Sequence, residues 1–301
     1  MSGHHFKPLT RFQADIFMLI AALIWGGGFI AQRVAAGSIG FFAFNFMKFG
    51  LAVPVMLALI RFKPDFKWAN LRWGIIAGAF LFLGSAFQQA GMKTTTAGNA
   101  AFITGFYVVL VPLILSIGWK QRTRTLNWVA AFVAFAGIAL LSTGGEFAPK
   151  IGDLLNLAGA FMWAAHIITM GAAVKHMPVF QFAFLQALMC ALFNLVASLF
   201  FDFSTLAALQ PIIWTVLYSG ILSAAVGFTF QAIGQKTAPP TDASLILCME
   251  SVFSAIAGAI FLMERFTPLQ ILGCALILGA LLVVQLKGNL EERKASLSQS
   301  T

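Results

Sequence analysis

Residues 84–94 read GSAFQQAGMKT, and residues 227–237 read GFTFQAIGQKT. Laid over one another at a shift of 143, Gly, Phe, Gln, Gly, Lys and Thr coincide, six of the eleven positions. The same ungapped shift places Ala100 on Ala243, Ile103 on Ile246, Tyr107 on Glu250, Arg122 on Arg265 and Leu126 on Leu269. Earlier in each half, a shift of 138 places Ala22 and Trp25 on Ala160 and Trp163. The longer connection around Asp202 to Pro211 absorbs the five-residue difference. Chance likeness between apolar segments explains shared Ala and Leu, but not shared Gln, Lys and Trp. The chain therefore reads as two copies of one unit.

Composition says what solvent surrounds that unit. Of 301 residues, 60% are hydrophobic and 10% are charged, whereas soluble domains carry roughly 25% charge. So little charge cannot cover a water-facing surface of this size, which makes the solvent lipid. A bilayer crossing needs about 20 mostly apolar residues. Ten such spans are predicted, near 14–34, 38–60, 71–91, 97–118, 127–143, 152–174, 180–200, 211–234, 242–262 and 268–286. Most prolines fall in connections or first turns, where a missing N–H costs little. Pro54 and Pro112 lie inside spans, where neighbouring helices must satisfy the freed carbonyl. The stretch before Asp15 is polar and the apolar segment after it is full span length, so that segment is read as a retained first helix.

The first unit is placed at 14–143 and the second at 152–286, with 288–301 as a polar, mobile cytoplasmic tail. Each unit holds five spans. Five is odd, so the second unit enters the membrane from the opposite side, the inverted-repeat plan of secondary transporters. With the N-terminus cytoplasmic, that side carries fourteen Lys and Arg and the other side four, with Lys48 alone inside a span, which accounts for all 19. Both termini are therefore expected to be cytoplasmic, and the expected location is a plasma membrane, the bacterial inner membrane. The net charge of +9 reads as orientation and headgroup contact, not as a nucleic-acid surface.

At this point the residues carry a resemblance. Ala22-Leu-Ile-Trp-Gly26 in the first span, the basic Lys48 mid-way along the second, and the segment Ala243 to Glu264 followed by Thr267 and Gly273 resemble the drug/metabolite transporter superfamily, of the EamA type. The resemblance covers nearly all of 14 to 286. It implies an all-α fold of ten transmembrane helices with a central cavity bounded mainly by spans 1, 3, 4, 6, 8 and 9. It also implies export of amino acids or related metabolites, or carriage of other small solutes. Members usually carry Arg in the second span; Lys48 stands there instead and cannot make the bidentate carboxylate contact that Arg makes.

The candidate site is built from polar and aromatic groups at mid-span. A charge at a helix centre costs at least about 2.5–3.5 kcal/mol on insertion scales, so the few present need a role or a partner. Lys48 and Glu250 are the two mid-span charges. Glu250 is the expected coupling residue, binding a proton on one side and releasing it on the other. The alternatives are a structural Lys48–Glu250 ion pair and direct binding of a cationic substrate. Lys48 is read as a substrate-carboxylate contact or, more readily, a structural counter-ion, because the resemblance keeps the second span out of the main cavity wall. Trp25 and Trp163 are repeat-related and mid-depth, as cavity lining or as packing. Gln88 and Gln231 are also repeat-related, lining the path or bonding to a neighbouring helix. Asn99 near the start of the fourth span is similar, and the Tyr107 hydroxyl is expected to face the same cavity as Glu250. His166 is the one mid-span histidine, a titrating group or a hydrogen-bonded packing residue.

These residues favour a secondary transporter whose partners are a small-molecule substrate, the lipid bilayer and protons. The expected oligomeric state is a monomer or weak dimer. No cofactor or metal is called for. GxxxxGK[ST] is absent, which removes ATP drive within the chain. An intramembrane enzyme needs clustered catalytic groups, and His4 and His5 lie in the tail with His176 near a loop. A channel or passive facilitator remains open, as does a multidrug or organic-cation exporter using Glu250.

Overall fold

A computed structural model describes residues 9–95, 97–143, 150–202, 212–261 and 265–298. They form α1 (Arg11–Ala36), α2 (Phe41–Leu59), α3 (Trp68–Gly91), α4 (Ala97–Thr104), α5 (Tyr107–Gly118), α6 (Thr125–Thr143), α7 (Ile151–His176), α8 (Val179–Phe201), α9 (Ile213–Leu217), a π-helical stretch Tyr218–Gly227, α10 (Phe228–Gln235), α11 (Pro240–Leu247), α12 (Met249–Phe261) and α13 (Pro268–Ser298). Helices α4–α5, α9–α10 and α11–α12 each make one span. Eight spans are long and apolar enough to cross a bilayer, and two shorter apolar helices, Thr125–Leu141 and Pro268–Val284, complete the ten.

Local chemistry sets the helix starts. Thr10 accepts from the Gln13 amide at 3.3 Å while the Gln13 side chain accepts from the Thr10 N–H at 3.0 Å, a reciprocal cap. Thr267 and Gln270 repeat the arrangement before α13, with Pro268 in the first turn, where its missing donor is not needed.

The sequence-derived span ends agree with the helices to within three residues, except at the last. Helix α13 continues past Gly288 to Ser298, where a mobile tail is expected. The residues after Gly288 are mostly Leu, Glu, Arg, Lys and Ala, all good helix formers. Polar composition ends the hydrophobic stretch there without ending the helix.

The two halves are interleaved. Helix α1 packs against the α9–α10 and α11–α12 spans, and α7 packs against α3 and the α4–α5 span. Helix α2 packs on α8 and the π-helical stretch, α8 on α2 and α3, and α6 on α13. Exchanging the first five spans for the second five leaves this set of partners unchanged, as a two-fold axis requires. The exchange holds residue by residue. A Cβ on Gly91 would collide with Asn156 and the Gly152 carbonyl, and one on Gly234 with Met18 and the Ala14 carbonyl. Gly91 and Gly234 are related by the shift of 143, and Ala14/Gly152 and Met18/Asn156 by the shift of 138. Because each half has an odd number of spans, equivalent helices run in opposite directions.

The exchange also fixes where helices break. The fourth and ninth spans, expected as continuous, are interrupted at Gly105–Phe106 and at Cys248, and Gly105 falls on Cys248 at the shift of 143. Both breaks are tightened by an i→i−3 bond at equivalent positions, Val108 N–H to Gly105 carbonyl at 3.0 Å and Ser251 N–H to Cys248 carbonyl at 3.1 Å. Gly74 and Gly78, spaced as GxxxG, face Leu185 and Met189 of α8 with no room for a side chain, so this pair packs helices within the chain.

Candidate functional site

The helix breaks place two side chains at the centre. Tyr107 begins α5 just after the first break, and Glu250 lies two residues after the second. The repeat superposes them, and in the structure they meet: the Tyr107 hydroxyl donates to Glu250 Oε1 at 3.0 Å. A pair of equivalent residues in contact marks the axis between the halves.

Around that pair lies a cavity of about 50 Å³. Spans 1, 3, 4, 6, 8 and 9 supply Trp25, Gln88, Tyr107, Trp163, His166, Gln231 and Glu250 to its wall. These are the sequence-chosen candidates, with the exception of Asn99, whose side chain lies outside the described residues. Lys48 lines the cavity too. That corrects the expectation that the second span stays away from the main wall.

The Lys48–Glu250 ion pair, one of the alternatives, is also not formed. Among the described residues no carboxylate lies within ion-pair distance of Lys48. Glu250 takes its hydrogen bond from Tyr107 instead, while the Lys48 ammonium lies 5.2 Å from the Phe49 ring centre. Mid-span depth, which is all the sequence offers, does not specify which way each side chain turns about its own helix.

Aromatic rings shape one wall. Phe228 stands between the two tryptophans, its ring centre 4.9 Å from Trp25, 6.2 Å and nearly parallel to Trp163, and 5.6 Å edge-on to His166. Each Trp lies on a glycine of the opposite half, Trp25 on Gly227 and Trp163 on Gly84, and the repeat exchanges these contacts. Their polar ends differ. Trp25 Nε1 donates to the Ser223 carbonyl in the π-helical stretch at 3.0 Å, whereas Trp163 Nε1 has no partner among the described residues.

The amides and the histidine are similarly half-used. Gln88 donates to Thr104 Oγ1 at 3.2 Å, and Gln231 donates to Gln235 at 2.9 Å while its own carbonyl oxygen is left over. His166 Nε2 bonds Gln186 at 2.9 Å, and its Nδ1 has no partner among the described residues. Buried polar atoms are nearly always bonded, so leftover ones clustered around a cavity are available to a ligand. Phe29, Gln32, Thr104, Ile167, Ser223, Phe228 and Leu247 complete the wall. Gln32 was detectable on the Trp25 helix face; Phe228 lies over Ser85 in the repeat and carried no signal.

Charge closes one end of the molecule. At the start of α1, Arg11 bonds Asp15 at 2.9 Å and Asp242 of α11 at 2.8 Å. Asn127 of α6 donates to the other Asp242 oxygen at 2.9 Å. At the equivalent end of the second half, Asp153, the counterpart of Asp15, accepts from Thr95 at 2.5 Å and from the Lys150 N–H at 2.6 Å.

Comparison with known proteins adds four findings. A family model described as "EamA-like transporter family" matches residues 12–143 and again 150–286. An "Uncharacterized transporter" of Archaeoglobus fulgidus is 31% identical over 289 residues, covering 93% of this chain and 88% of that protein. The "Threonine/homoserine exporter RhtA" of Escherichia coli (strain K12) is 25% identical over 300 residues, with 93% and 92% covered. A solved crystal structure superposes with a TM-score of 0.75 at 20% identity, covering 92% of this chain and 97% of that one, which shows a shared fold.

Proposed function

Because the chain belongs to the EamA-like transporter family, a family of multi-pass membrane transporters, we propose that it exports small polar metabolites, amino acids or related compounds, in exchange for protons. One observation carries the reading. A carboxylate, Glu250, stands in a central cavity at the point where both the fourth and ninth spans are broken. Discontinuous helices at a repeat interface are where secondary transporters hold substrate and coupling ion. A single carboxylate that accepts either a proton or a substrate ammonium group, but not both, couples the two flows by competition.

The two halves rock about the cavity, which faces each side of the membrane in turn. The repeats at 14–143 and 152–286 are the moving bodies of this reading. The chain sits in a bacterial inner membrane with both termini cytoplasmic, as a monomer or weak dimer, and performs no chemistry on its substrate. The similarity to an exporter of threonine and homoserine supports the amino-acid assignment and the direction.

Flux into proteoliposomes with and without an imposed pH gradient tests the reading. Gradient-stimulated uptake of an amino acid is expected. Saturable flux that ignores the gradient would establish an uncoupled facilitator in its place. The aromatic wall of Trp25, Trp163 and Phe228 beside Glu250 favours one second reading, an organic-cation exporter, because cations are attracted to ring faces. Tetramethylammonium outcompeting amino acids for uptake would select it.

A further inference from the structure

The cavity holds two charges of opposite sign that are not used on each other. Lys48 is 4% exposed and Glu250 6% exposed, and both line the same cavity. Nothing among the described residues neutralises Lys48: no carboxylate reaches it, and its aromatic contact is the ring of its own chain neighbour Phe49. Glu250 has one oxygen on the Tyr107 hydroxyl, and the other makes no hydrogen bond among the described residues. A buried ion without a partner is costly. In a membrane interior an ionisable group of this kind marks a substrate path.

We propose that Lys48 is the anion handle of the binding site, so that the cavity selects zwitterions, with the substrate carboxylate on Lys48 and its ammonium group on Glu250. The inference rests on the transporter reading above and deepens it by assigning one end of the substrate to each half of the molecule. Lys48 comes from α2 and Glu250 from α12, so a bound zwitterion bridges the two five-helix units. A substrate with one charge satisfies one handle and leaves the other ion buried and unpaired. Discrimination against such analogues therefore comes from the penalty of the orphaned charge as much as from the lost contact. It also sets this site apart from an organic-cation cage, in which Lys48 would repel the ligand.

The test is equilibrium binding to the full-length protein in lipid nanodiscs. The probes are L-threonine, L-leucine and L-glutamine, each beside its amide, which lacks the carboxylate, and its N-acetyl derivative, which lacks the ammonium group. At least one zwitterion is expected to bind roughly 10–100-fold more tightly than both of its analogues, the span of one hydrogen bond to a charged group. Lys48→Met, an apolar chain of similar length, is expected to erase the preference over the amide while keeping the preference over the N-acetyl form. Glu250→Gln does the reverse. Lys48→Arg keeps the charge and restores the wild-type ranking.

Equal binding of amide and zwitterion by the wild type overturns the proposal, as does no binding of any of the three zwitterions. An unchanged ranking in Lys48→Met overturns it too. Coupling is read separately: gradient-independent flux with the zwitterion ranking intact sinks only the proton-exchange reading, and gradient-driven flux with the ranking lost sinks only this one.

Discussion

The two halves of the molecule share their architecture and differ in their chemistry. Both break their fourth helix at the same register, both lay a tryptophan on a glycine of the other half, and both place a glutamine on the cavity wall. Yet the first half puts Tyr107 where the second puts Glu250, and satisfies neither its tryptophan nor its charges in the same way. The lesson is a division of labour. Features that build the cavity recur in both copies, because an inverted repeat uses one design for both halves of its lining. The cavity carboxylate occurs once, because the proposed substrate has two different ends and needs two different walls.

Substitutions that make the halves more alike, or less, test this division. The largest effect is expected from Glu250→Gln, which keeps an acceptor for Tyr107 but removes the ionisable group. Proton-driven transport should be abolished while the purified protein keeps its helix content and melting behaviour. Wild-type response to a pH gradient in the variant's proteoliposomes would remove Glu250 from the coupling role.

Next in size is the charged end. Asp242→Ala strips Arg11 and Asn127 of a shared partner, though Arg11 keeps Asp15. The loss expected is about 1.5–3 kcal/mol, the worth of a hydrogen bond to a charged group, seen as a lowered thermal midpoint in detergent. A midpoint unchanged within error would mean that solvent screens this end.

The tryptophans offer the sharpest contrast. Trp25→Phe deletes a donor that is in use and should cost about 1 kcal/mol of stability. Trp163→Phe deletes a donor without a partner among the described residues, so stability should hold while substrate affinity falls. Equal stability losses would erase the distinction between the two copies. The smallest effect belongs to Tyr107→Phe, which removes one bond to Glu250. Transport should remain gradient-driven, at a rate lowered by about tenfold or less.

Hydropathy and repetition are properties of the chain, so the sequence alone determined the lipid setting, ten helices, the two related halves and the equivalence of Tyr107 with Glu250. Seven of the eight sequence-chosen cavity residues line one space because repeat-related polar groups at mid-depth have little else to serve in hydrocarbon. What lay beyond the sequence depends on how each helix is rotated about its axis and where it crosses its neighbours. Lys48 and Glu250 match in depth and are opposite in charge, so the sequence left a pair between them open, but rotation turned Lys48 to the cavity and Glu250 to Tyr107. The interposed Phe228, the widened turn at Tyr218–Gly227 and the interruptions at Gly105 and Cys248 likewise arise from packing between helices. Periodicity places a residue on a helix; only the neighbours in three dimensions decide what that residue meets.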